Sequence, residues 1–143
     1  MQIDNNLWPE HLPVVQVRLA RPTDKLQEVE QFYCAGIGLQ KLGSFEKHQG
    51  YSGIMIGLPG LPYHLEFTQH EKGSPCPAPS RDNLLVLYLP VQASINSIVA
   101  RLVQLSYPVV EPENPYWHEK GGVTIEDPDG WRLVLMPSSG IGQ

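Results

Sequence analysis

The chain has 143 residues, 41% apolar and 17% charged, with a formal charge of −5 at pH 7. That length suits one domain with a proper core, and the composition excludes a disordered chain. An acidic balance with no Lys/Arg cluster argues against a nucleic-acid partner, and no apolar run approaches the roughly 20 residues that span a bilayer, so no membrane partner is expected.

Residues 1–12 are polar apart from Trp8-Pro9 and read as an arm lying over the body. Val14, Val15, Val17 and Leu19 predict a first strand that ends at Arg21-Pro22, because Pro disfavours helix in the residue before it. Thr23 or Asp24 can cap a helix carrying Leu26, Val29, Phe32 and Tyr33 on one face, and Gly36 and Gly38 stop it. Three short strands are predicted next, at 40–45, 51–58 and 63–68. The last two are joined by the turn Pro59-Gly60-Leu61-Pro62.

Residues 70–82 hold Gly73, Pro75, Pro77 and Pro79 and read as a linker. The pattern then starts again. An apolar strand over 84–89 leads into a helix with Ile95, Ile98, Val99, Leu102 and Leu105 on one face. A short strand at 108–110, a polar aromatic loop over 111–120 and a closing hairpin follow. The order β-α-β-β-β therefore occurs twice, although the two halves share few letters. The expected class is α+β, a single domain of two βαβββ modules at about 13–69 and 83–136.

The closing segment is the most informative. Val123 and Ile125 alternate with polar neighbours. Asp127-Pro128-Asp129-Gly130 then supplies a turn-starting Asp, a fixed-φ Pro and a Gly able to take positive φ. Trp131, Leu133 and Leu135 resume the strand period. About a hundred residues upstream stands Gln31-Phe-Tyr-Cys-Ala-Gly-Ile-Gly-Leu39, a helix end running into a Gly-marked stop. Together, and in this order, the two segments resemble the glyoxalase/bleomycin-resistance (vicinal oxygen chelate) superfamily, over roughly residues 13–136. The resemblance implies two modules forming a curved, incomplete barrel with a concave pocket, and a homodimer.

Metal-using members of that superfamily place four ligands on equivalent strands, where a divalent cation polarises substrate oxygens. Laid on this chain, the pattern falls on Gln16, on Glu66, at or beside Leu85, and on Val134. The last two places are apolar, as are their neighbours, so the standard four-ligand centre is not expected. His64 lies two residues from Glu66 and shares its strand face, which leaves Gln16, His64 and Glu66 as a weak metal set. The favoured reading is a metal-free polar patch in which Arg18, on the face of Gln16, bonds Glu66, since an unpaired buried carboxylate is costly.

Tyr88, Tyr116, Trp117 and Trp131 supply aromatic area of the kind that non-catalytic members use to hold flat ligands. The expected ligand-binding residues are thus Gln16, Arg18, His64, Glu66, Tyr88, Tyr116, Trp117 and Trp131. Should the protein be an enzyme, Glu66, His64 and His118 are the catalytic candidates. No Gly-rich phosphate loop follows a strand, and no nucleotide cofactor is expected. Cys34 and Cys76, in no metal or redox spacing, fit a reducing cytoplasm. The first reading is a small-molecule-binding protein; a metal-dependent lyase, isomerase or dioxygenase and a non-catalytic scaffold are the alternatives.

Overall fold

A computed structural model describes residues 11–141. Most of the arm expected over residues 1–12 lies outside them. The elements run β1 (Val17–Pro22), α1 (Leu26–Glu30), β2 (Gln40–His48), β3 (Tyr51–Gly57), β4 (Tyr63–His70), β5 (Leu84–Tyr88), α2 (Gln92–Gln104), β6 (Val109–Val110), α3 (Tyr116–Glu119), β7 (Val123–Glu126) and β8 (Arg132–Met136). Helix α1 continues as a π-helix over Gln31–Ile37. Two four-stranded mixed sheets form, ordered β1-β4-β3-β2 and β5-β8-β7-β6. In each, the first strand runs parallel to the last and the other pairs are antiparallel. The fold is α+β, and its two βαβββ modules share one topology with no closed barrel.

The core lies between the sheets and their helices. Val29 and Phe32 from the first helix join Ile54, Ile56, Leu65 and Phe67, while Ile95, Ile98 and Leu102 from α2 join Ile125, Leu133 and Leu135. Both sets form one cluster because α2 packs on the π-helical segment. Gly36 permits that approach: a Cβ there would sit 2.5 Å from Leu102 Cδ2, inside the fully buried core. Its role is therefore close packing, and Gly38, with φ of 102°, is the residue that ends the helix. The terminal carbonyls are satisfied from α2, where Arg101 Nε donates to Gly36 O and Nη2 to Ile37 O.

Several boundaries differ from the sequence reading. Residues 14–16 stay outside β1, which starts where Val17 N bonds Pro62 O, because only from there does β4 lie alongside. The first helix has Lys25 at its N-cap with no side-chain cap; Thr23 Oγ1 instead accepts from Lys25 N, and Asp24 turns its carboxylate to Ser74 N. Strand β2 extends to His48, and its register against β3 shifts between Lys41/Gly43 and between Phe45/His48. The loop over 111–120 contains the short helix α3, whose first turn is steadied by Asn114 Oδ1 accepting from Tyr116 N.

Candidate functional site

Alternation along each strand divides the sheets into a helix-covered face and a helix-free face. On β4, Leu65 and Phe67 enter the core, so His64 and Glu66 stand on the helix-free face. The parallel register sets Arg18 beside His64 and Ala20 beside Glu66. Arg18 reaches along this face to both. Its Nε donates to His64 Nε2 at 2.8 Å, and its Nη1 donates to Glu66 Oε2 at 3.2 Å. The Arg18–Glu66 bond expected from the sequence is present, and His64 is drawn into the same trio. His64 is only 7% exposed, while the Arg18 side chain remains 47% exposed. Because His64 Nε2 is an acceptor, the proton of the neutral ring sits on Nδ1, which is buried and has no partner among the described residues.

Gln16 is separate from this trio. It precedes β1, and the rung of Glu66 is at Ala20, four residues farther on, or ~13 Å along a strand at about 3.3 Å per residue. Among the described residues no three His, Cys, Asp or Glu side chains cluster as metal ligands. The lone pairs that His64 Nε2 and Glu66 Oε2 would offer a cation face the Arg18 guanidinium.

In the second module the positions of the corresponding face at the centre of β5 and β8 are apolar, although Arg132, Glu126 and Thr124 share that side of the sheet. Val86 pairs with Val134 and Tyr88 with Met136 across β5 and β8. Leu85 lies on the other face, toward the core, so Val86 is the strand neighbour that shares a side with Val134. Val134 is fully buried and Met136 nearly so. The 111–122 segment lies against them: a Cβ on Gly122 would stand 2.7 Å from Met136 Sδ and 3.0 Å from Val134 Cγ1. This segment is held by Arg132, which donates to Glu111 O at 2.8 Å while its Nε donates to Glu126 Oε2 of β7 at 2.9 Å. Within it Tyr116 and Trp117 meet edge to face, 5.1 Å between centroids, and His118 is exposed beside them.

Trp131 stands elsewhere, in a latch between the modules. The Arg21 guanidinium carbon lies 3.9 Å from its ring centre, and its Nε1 donates to Cys76 O in the linker. Beside it Tyr33 Oη donates to Asp127 Oδ2 at 2.8 Å, and Thr23 Oγ1 donates to Asp129 Oδ2 at 2.7 Å. Asp127 Oδ1 accepts from Asp129 N and Trp131 N, closing the hairpin turn. Burial, above all, pushes the Asp127 carboxyl above the ordinary carboxylate range, and the Tyr33 bond partly restrains it. Burial and the neighbouring Asp127 likewise push the Tyr33 hydroxyl well above its ordinary value. The two sequence segments that carried the resemblance thus meet in space, and they meet as a structural joint.

An apolar cleft of about 450 Å³ also opens between the modules, lined by Leu58, Leu61 and Tyr63 from one and by Leu85, Leu87 and Tyr88 from the other. Sequence periodicity could not find it, since its walls come from a turn and a strand distant in the chain. The exposure of Val17, Leu19 and Tyr88 along the outer strands β1 and β5, and of Val15 just before β1, was equally illegible.

Residues 17–68 match the YycE-like N-terminal domain family, and residues 82–137 match the YycE-like C-terminal domain family. The chain belongs to the YycE-like family. Its two family segments coincide with the two βαβββ modules. It is 53% identical over 126 residues to YycE of Bacillus subtilis (strain 168), covering 88% of this chain and 90% of that one. The crystal structure of YycE, a protein of unknown function, superposes with a TM-score of 0.86 at 50% identity, over 93% of this chain and 96% of the other. At the level of fold, the YycE-like chain also resembles the trypanothione-dependent glyoxalase I of Leishmania major (TM-score 0.65, 15% identity, 83% of each chain). An antibiotic-binding protein from Streptomyces sp. CB03234 aligns with a TM-score of 0.59 at 21% identity, over 85% of this chain and 93% of that one. These likenesses set the YycE-like fold within the glyoxalase/bleomycin-resistance superfamily.

Proposed function

We propose that this YycE-like protein binds a small organic molecule on the helix-free face of its first module, at Arg18, His64 and Glu66, without the four-ligand metal centre. The observation that carries this reading is the Arg18 guanidinium seated between His64 Nε2 and Glu66 Oε2. A cation among these atoms would meet a fixed positive group instead of free lone pairs. Val86 and Val134 occupy the corresponding strands of the second module and offer no ligand atoms. This donor set does not fit a divalent ion, and no chemical step is routed through one. The likeness to an antibiotic-binding protein supports binding as the task; a likeness of that kind reaches the fold, and the ligand is left to the site.

The working unit is a homodimer. Val17 and Leu19, 43% exposed each, line an outer sheet strand, Val15 just before it is 78% exposed, and unpaired apolar strands invite pairing. A second copy laying its β5 against β1 would cover these residues and the 450 Å³ cleft in two equivalent contacts. No described helix is long and apolar enough to cross a membrane, and Cys34 and Cys76 are free, as a cytoplasmic location would require.

Three measurements test the reading. A thermal-shift screen of metabolites and antibiotics should return ligands, and one at a hundredfold excess over Kd should add ~2.7 kcal/mol of stability. No hit would favour a scaffold. Stoichiometric metal in the purified protein, lost in Glu66→Ala, would turn the assignment to a metal-dependent enzyme. Sedimentation should report a dimer that Val17→Asp dissociates, and a wild-type monomer at micromolar concentration would refute the assembly.

A further inference from the structure

The geometry points to a ligand group that is uncharged and carries a carbonyl oxygen beside an N–H donor, a carboxamide. This inference rests on the small-molecule reading and names the chemistry that Arg18 and Glu66 select. A guanidinium has five N–H donors, and Arg18 uses two of them, on His64 and Glu66. The other three form no hydrogen bond among the described residues and belong to a side chain 47% exposed, open to an incoming oxygen. Glu66 keeps an acceptor of its own, since its Oε1 forms no hydrogen bond among the described residues. Donors and an acceptor therefore stand next to one another.

Charge decides which ligand suits them. Arg18 and Glu66 cancel, and His64 accepts the Arg18 bond as a neutral ring. A carboxylate docked on Arg18 would set its charge beside Glu66, so attraction and repulsion oppose one another over similar distances. A neutral carbonyl takes the Arg18 donors without that opposition, and the amide N–H next to it satisfies Glu66. A ligand without the donor would leave a largely covered carboxylate oxygen unpaired, which is how polar sites reject near-isosteres.

The surroundings agree. Ala20 and Met55 flank Glu66 on the neighbouring strands, one leaving room and the other offering a soft apolar wall for the carbon skeleton. The donors are also fixed in advance. His64 is 7% exposed and bound to Arg18 Nε, so moving the guanidinium would strip a buried ring nitrogen of its partner. Such preorganisation raises affinity by lowering the ordering cost.

The test uses the full chain and two probes of one skeleton, lactamide and lactate, followed by NMR titration of the Arg18 Nε–H signal. Lactamide should shift that signal with at least about fivefold higher affinity than lactate. Glu66→Gln, which keeps the shape and removes the negative charge, should reverse the preference in favour of lactate. In Arg18→Met, where that signal no longer exists, isothermal titration calorimetry should detect binding of neither probe. Lactate preferred by the wild type, a ratio unmoved by Glu66→Gln, or silence of Arg18 toward both probes overturns the assignment. The underlying reading fails separately. A screening hit that stabilises the wild type and Arg18→Met equally preserves small-molecule binding while refuting this chemistry, whereas the absence of any hit removes both.

Discussion

Replacing Tyr33 by Phe keeps the buried ring and deletes one hydroxyl, the atom that ties the first module to the hairpin of the second. Tyr33 is fully buried and Asp127 is 5% exposed, so water cannot replace the lost donor at Asp127 Oδ2 without rearrangement. Deleting a bond to an ionised group at such a site costs about 1.5–3 kcal/mol. For a chain of this size that corresponds to a fall in Tm of roughly 3–12 °C, at about 2–4 °C per kcal/mol. The cost also has a pH signature. Burial raises the native Asp127 carboxyl above its unfolded value of 3.8, so its contribution to stability is fully present below that value. It is lost as pH rises through the raised native value. Tyr33 is one of the groups restraining that rise, and without it the loss extends to higher pH. The Tyr33→Phe penalty should therefore be larger at pH 7 than below the ordinary carboxylate range, where Asp127 is protonated in both proteins. Urea denaturation at both pH values, in a double-mutant cycle with Asp127→Asn, measures it. A coupling energy below about 0.5 kcal/mol, or a penalty indifferent to pH, would refute the reasoning.

Three further substitutions probe other joints. Gly36→Ala drives a methyl group into Leu102 Cδ2, which is held on all sides, and should cost about 1–3 kcal/mol in urea denaturation. Trp131→Phe removes the indole bond to Cys76 O and weakens stacking under Arg21, so stability should fall by about 1–2 kcal/mol. Because Trp131 belongs to the latch, ligand affinity measured by titration should not change in that variant, and a loss of affinity would return this residue to the binding site. Thr124→Val deletes a buried hydroxyl that has no partner among the described residues and should be neutral or stabilising by up to about 1 kcal/mol, read as a rise in Tm.

The sequence revealed the fold more fully than the site because the two are written in different signals. Strand and helix periods repeat over many residues, so errors at Val14 or His48 left the element order intact. The latch was half legible: Phe32-Tyr33 and Asp127-Pro128-Asp129-Gly130 stood out, but nothing in one dimension says that the Tyr33 hydroxyl reaches the Asp127 carboxylate. Strand alternation placed Arg18, His64 and Glu66 on shared faces. Register was needed to set Arg18 against His64 and to remove Gln16 from Glu66 by four residues. Tyr116 and Trp117 were expected to line a pocket. They belong to a segment whose backbone presses on Val134 and Met136, a relation fixed by Gly122 and Arg132 and not by aromatic content.

The two modules repeat one topology yet use the helix-free face differently. In the first, β1 has the outermost place in its sheet, and the trio beside it stays partly open to solvent. In the second, Val134 and Met136 are closed under residues 111–122, which Arg132 holds by a bond to the Glu111 carbonyl while pairing with Glu126 on β7. A ligand face must leave polar groups partly unsatisfied, which costs stability, whereas a sealed apolar face contributes it. Dividing the two tasks between modules lets the open one remain polar while the closed one and the Tyr33–Asp127 latch hold the chain together. Loosening the latch should then lower stability before it alters the Arg18–His64–Glu66 geometry, whereas substitutions in the trio should act on binding first.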